Sequence, residues 1–154
     1  MSATDWALNA ATQFVEQESI KSEEWDRARR RHQTVLSQAP RVWAEVRQAL
    51  QVHIRAFNKS VGKQVLLALT NGDSKVVIHA QTEAGPRAMT VEFDARTPSV
   101  RCSARSEQGS VDFEGRYAIG LTSESNVAIA LATGVECSSE ELAGHLLNGL
   151  MGWN

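Results

Sequence analysis

The stretch from Arg41 to Ile78, RVWAEVRQALQVHIRAFNKSVGKQVLLALTNGDSKVVI, holds the change of pattern that decides the fold. Its first half carries Trp43, Val46, Leu50, Ile54, Phe57 and Val61 at spacings of 3, 4, 4, 3 and 4. That is one apolar stripe along a helix of about five turns. Gly62 is the expected stop, because glycine takes a left-handed conformation at a helix end without steric cost. The second half switches to β-branched residues around Asn71-Gly72. This dipeptide tolerates positive φ at both central positions of a type I′ turn and is the strongest short hairpin signal. A two-residue turn there pairs Thr70 with Asp73, hence Leu67 with Val76 and Val65 with Ile78, and paired residues share a face.

Downstream, further breaks fall at Glu83–Pro86, Arg96–Pro98, Ser106–Gly109 and Thr122–Asn126. With Asn71-Gly72 these five breaks leave six strands across residues 64–132. The short connections make them sequential antiparallel neighbours, a meander. Alternation assigns a dry face to Met89, Val91 and Phe93, to Val100, Cys102 and Ala104, to Val111, Phe113, Tyr117 and Ile119, and to Val127, Ile129 and Leu131. The opposite face takes Glu92 and Asp94, then Arg101 and Arg105, then Asp112, Glu114 and Arg116, a solvated charge ladder. The 41–61 helix is the natural cover for the dry face. A last helix over 139–151 opens on a capping box, with Ser138 as N-cap and Glu141 at N3. Its stripe is Leu142, Leu146, Leu147, Leu150 and Met151, and Gly144 and Gly149 suit close packing on the sheet.

Upstream lie two more helical segments, Asp5 to about Gln17 and Ser22 to about Gln38, with Pro40 stopping or kinking the chain before the long helix. The expected fold is therefore α+β: a single domain over 1–154, with N-terminal helices, a six-stranded antiparallel meander covered on one face, and a C-terminal helix. The 1–38 region is read as an arm that can project from it, because one sheet face does not need so much apolar helix.

The chain has 154 residues, 42% of them hydrophobic and 22% charged, with a net charge of −2. This is ordinary globular composition and excludes collagenous, low-complexity and wholly disordered chains. The N-terminus lacks a basic stretch followed by an apolar run, and no long uncharged apolar segment is present. A cytoplasmic location with reduced thiols, and no membrane, is the expectation. Cys102 and Cys137 are too few for a disulfide scaffold and read as small buried hydrophobes.

Catalytic signatures for nucleotide, zinc-protease and serine-hydrolase chemistry are missing. No cofactor or metal is expected, and the reading leans away from an enzyme. The one catalytic candidate is His79 on the wet face, with Glu92 or Asp94 to orient its imidazole. No nucleophile accompanies it, so a surface histidine beside a charge ladder is the simpler account. His53 and His145 read as boundary histidines.

Charge is uneven: residues 27–59 hold eight Lys or Arg against Glu45 alone. Within that run Arg27, Arg29, Arg30 and Arg31 are candidates for phosphate, nucleic acid or an acidic partner. Nucleic acid is not favoured, because the chain is acidic overall and only Trp25 is near enough to stack on bases. Glu23 and Asp26 also stand four residues before Arg27 and Arg30, the order that suits pairing within a solvated helix face. The small residues Ala104, Gly115, Ala128 and Ala130 could leave a helix–sheet cavity for a small apolar ligand, with Tyr117 as its polar handle. In element order the chain resembles helix-grip ligand-binding domains, except that those begin with a strand. The leading expectation is a protein-interaction or regulatory module, a homodimer or a partner of another protein through its N-terminal helices.

Overall fold

A computed structural model describes residues 2–122, 124, 126–131 and 134–153. The expected break at Thr122–Asn126 includes Ser123 and Ser125, which lie outside the described residues, as do Met1, Ala132, Thr133 and Asn154. The elements are helix α1 (Ala3–Val61), strands β1 (Leu66–Thr70), β2 (Lys75–Thr82), β3 (Gly85–Asp94), β4 (Ser99–Ser106), β5 (Val111–Leu121), β6 (Val127–Ala130) and β7 (Glu136–Cys137), and helix α2 (Ser139–Met151). The class is α+β. The strands form one antiparallel sheet in the order β1 to β7, curled into a half-barrel with α2 packed on it.

Three expectations are corrected. The three helical segments are one helix of 59 residues that runs through Pro40. Proline removes one N–H and crowds the preceding turn. Pro40 itself is exposed, while Ala39 before it and Val42 and Trp43 after it are buried. Packing on both sides holds the helical path through the missing bond. Second, the sheet has seven strands. A further turn is closed by the Leu131 N–H bonding the Val135 carbonyl at 2.9 Å, with Gly134 at φ 81°, and it adds the two-residue β7.

Third, the first hairpin is out of the expected register. Thr70 pairs with Val76, Ala68 with Ile78 and Leu66 with Ala80. The loop is longer than a two-residue turn, with the Asn71 N–H bonding the Lys75 carbonyl at 2.9 Å. Its Asp73 carbonyl accepts from Trp43 Nε1 at 2.6 Å. Leu66 and Ala68 therefore face the core, and Leu67 stands on the wet face opposite His79.

The chain divides into two compact units, Met1–Thr34 and Val35–Asn154, with α1 contributing to both. The second unit holds the core. Val35, Ala39, Val42, Trp43, Val46, Ala49, Leu50 and Ile54 of α1 join the dry faces of the strands and Leu142, Leu146 and Leu150 of α2. Trp43 also stacks on Phe93 with ring centroids 5.9 Å apart. Near the end of α1, Asn58 acts as a bracket on the edge strand. Its Nδ2 donates to the Leu66 carbonyl at 2.8 Å, and its Oδ1 accepts from the N–H groups of Val65 and Leu66 at 2.9 and 3.0 Å. Edge strands otherwise present unpaired backbone groups to other chains.

The capping box of α2 is present as expected. Gly149 sits against Phe113 so closely that a Cβ there would lie 2.5 Å from the ring, whereas Gly144 has open space. Two outcomes follow for urea unfolding. Asn58→Ala should lower stability by about 2 kcal/mol, from roughly 0.5–1.5 kcal/mol for each hydrogen bond lost. Gly149→Ala should lower it by about 1–3 kcal/mol through overpacking, while Gly144→Ala should raise it by up to about 1 kcal/mol through helix propensity.

Candidate functional site

The wet face carries the catalytic candidate His79 and its two acids, Glu92 and Asp94. His79 on β2 is exposed and pairs with Ala88 on β3. Glu92 lies four residues further along β3, about 13 Å at strand rise, and pairs in register with Lys75. Its carboxylate is 3.6 Å from Lys75 Nζ and 3.9 Å from Arg101. Asp94 accepts the backbone N–H groups of Thr97 at 3.2 Å and Arg96 at 3.0 Å. These bonds, Thr97's foremost, hold its carboxyl below the usual range. A carboxylate held ionised in this way is a poor proton acceptor. The register thus sets His79 apart from both acids, which are occupied by cations and backbone.

The charge ladder is real, with one variation. Lys75, Glu92, Arg101 and Arg116 stand opposite one another across β2 to β5, so Arg101 faces a like charge in Arg116. An open depression of about 450 Å³ lies over this ladder, lined among others by Thr90, Glu92, Arg101, Ser103, Glu114 and Arg116. It presents both charge signs to solvent.

The dry face gives Tyr117 a packing role. Tyr117 is buried, with its hydroxyl 4.0 Å from Cys102 Sγ and its ring edge-on to His145 at 5.7 Å. Its ring covers Gly115, where a Cβ would lie 2.5 Å from the hydroxyl. The small residue at 115 therefore makes room for Tyr117 itself. Ala104 is buried, while Ala128 and Ala130 pair into the wet face at partial exposure. An apolar cleft does exist between the core half of α1 and α2, lined by His53, Phe57, Leu147 and Trp153 among others. Its volume of about 150 Å³ is below the roughly 300 Å³ at which small-molecule pockets begin.

One polar cluster was not legible in the alternation. The β4–β5 register shifts between Ala104 and Arg105, a bulge that opposes Ala104 to Phe113 and Arg105 to Val111. Val111, expected inside, is 44% exposed. Asp112, expected on the wet face, forms a bidentate pair with Arg87. Arg87 Nε donates to the Leu150 carbonyl at 2.6 Å, so the guanidinium satisfies the C-terminal end of α2. The pair holds Asp112 low and raises Arg87. This is a structural clasp between β3, β5 and α2.

Among the described residues, no group of three or more His, Cys, Asp or Glu is arranged to hold a metal ion. Among the described residues no helix is long and apolar enough to cross a membrane.

The first unit is different in kind. Over residues 3–34 the helix has Trp6, Leu8, Phe14, Val15, Ile20 and Trp25 all 54–65% exposed. Arg29 is engaged locally, 3.9 Å from Asp26 and 5.0 Å above the Trp25 ring. Arg27 and Arg30 share a surface notch with Glu23 and Asp26. The arginine run is therefore interleaved with acids and an aromatic ring of the same helix. The break expected between Gln17 and Ser22 hides the continuity that puts Ile20 and Trp25 on the same helix as Trp6, Leu8, Phe14 and Val15.

Comparison with family models, with curated proteins and with solved structures finds no match for this chain.

The buried thiol makes a pH-dependent prediction. Burial pushes Cys102 up from 9.0 to about 11, and burial likewise raises Tyr117 and Cys137. A group raised in the folded state stabilises the fold below its unfolded pKa and loses that contribution as pH rises through the folded one. The urea midpoint should therefore fall between pH 9 and about 11, and Cys102→Ala should show a shallower fall. An unchanged slope would mean that Cys102 is hydrated.

Proposed function

We propose that this chain is a non-enzymatic interaction module that self-associates through residues 3–34 of α1. The observation that carries the reading is the run of six large apolar side chains, each more than half exposed, on one helix. Helices in proteins owe most of their stability to packing an amphipathic face. Large apolar side chains exposed in this number on one helix are a mark of an interaction surface. The rest of the molecule supports the same direction: Glu92 and Asp94 are already held by cations and backbone, and the apolar cleft is small.

A second copy is the occupant that fits. The helix face that holds Phe14 and Trp25 also carries one acid and one base, Glu18 and Lys21, so it complements its own charge pattern. The alternatives are phosphate or nucleic-acid contact by Arg27–Arg31 and an apolar ligand in the core. They lack a comparable observation, since Arg29 is already held by Asp26 and Trp25.

Multi-angle light scattering should give a dimer for the full chain at micromolar concentration. Removal of residues 2–34 should give a soluble monomer with an unchanged sheet signal in circular dichroism, because the buried residues of α1 begin at Val35. A full-length monomer at high micromolar concentration would contradict the proposal.

A further inference from the structure

The spacing within the exposed helix specifies how two copies would meet. Ala7, Ala11, Phe14, Glu18, Lys21, Trp25, Ala28 and His32 follow one another at steps of 4, 3, 4, 3, 4, 3 and 4. These positions share one seam of the helix at heptad spacing, and Phe14 and Trp25 are its two large apolar residues. All eight positions are exposed, and all lie within α1. The steps of three start at Ala11, Glu18 and Trp25, so these and His32 are a positions, while Ala7, Phe14, Lys21 and Ala28 are d positions.

In a parallel pair each position meets its own copy. Glu18 would face Glu18, and Lys21 would face Lys21, at the centre of the seam. In an antiparallel pair an a position meets a d position. Setting Glu18 against Lys21 then fixes every other layer. Phe14 meets Trp25, Ala11 meets Ala28, and Ala7 meets His32, each twice by the two-fold symmetry. Opposite charges fall together, aromatic meets aromatic and small meets small. Leu8 and Val15 fall at e positions beside the seam, and Trp6 and Ile20 lie outside it.

The seam is long enough for an extended two-helix contact. Residues 7–32 span about 39 Å of helix. The four seam aromatics carry about 150–250 Å² each and are close to two-thirds exposed in the single chain. They alone bring up to roughly 600 Å² toward the about 1,200 Å² of a specific interface. Arg29, above the Trp25 ring, covers the outer side of that aromatic layer.

We infer that two copies of this chain pair as an antiparallel two-stranded coiled coil over residues 7–32, with Glu18 of each facing Lys21 of the other. The inference rests on the self-association proposed above and adds its geometry.

Site-directed crosslinking of the full chain tests it. Cys102 and Cys137 are buried, so an introduced surface thiol is the reactive one. Ala11→Cys and Ala28→Cys are made separately, and light scattering first establishes the dimer. Under mild oxidation, an equimolar mixture should form the mixed 11–28 disulfide, and neither variant alone should crosslink. A disulfide in Ala11→Cys alone would overturn the antiparallel register while leaving self-association intact. A dimer that forms no disulfide in the mixture would overturn it too. A monomer by light scattering would overturn both readings. Charge reversal gives an independent readout. Glu18→Lys should raise the dimer dissociation constant by about tenfold or more, through like charges placed face to face. The combination with Lys21→Glu should restore it. Equal affinity of wild type and Glu18→Lys would contradict the layer assignment.

Discussion

A sheet with one apolar face must be covered, and here the cover is fixed at Trp43. Its ring stacks on Phe93 in β3, and its indole N–H bonds the Asp73 carbonyl in the first hairpin loop. One side chain thus sets the height of the helix above the sheet and the conformation of the loop beside it. The remaining contacts agree with that placement. Asn58 brackets β1 about four turns beyond Trp43, and Gly149 lets α2 lie directly on Phe113. The Arg87–Asp112 clasp then ties α2 to β3 and β5.

Much of this could be read from residue order. The stripe from Trp43 to Ile54, the stop at Gly62, the meander and the Ser138–Glu141 box follow from periodicity and capping chemistry, which are local, whereas Val61, expected on the stripe, is 46% exposed. The dry residues of β3, β4 and most of β5 are where alternation placed them. The readings that failed depended on tertiary contacts. Pro40 has a local cost that flanking buried residues overcome. The Asn71-Gly72 turn is widened where the loop carbonyl meets an indole thirty residues away in sequence. The β4–β5 bulge reverses alternation at Val111 and Asp112, and nothing in the spacing marks where an extra residue is inserted.

The functional reading was less legible for a different reason. A catalytic site announces itself through rare residue types in fixed arrangement, and His79 with its nearby acids looked like the start of one. Strand register separates them and hands Glu92 to Lys75 and Arg101. The proposed interface of alanines, two aromatics, a histidine and one charge pair has no such signature. Its spacing depends on a continuous helix, because it crosses the break expected between Gln17 and Ser22. The arginine run, the most conspicuous feature of the composition, is a neighbour of that seam on the same helix.

The central claim is that α1 serves two purposes along its length: its Val35–Ile54 part is core, and its first half is an association surface. Hydrogen exchange followed by mass spectrometry at several protein concentrations tests this directly. The account predicts that amides of 42–54 exchange as slowly as those of β2 to β4 at every concentration. Amides of 7–32 should gain protection as concentration rises. Exchange of 42–54 at the rate of 7–32 in dilute protein would contradict it.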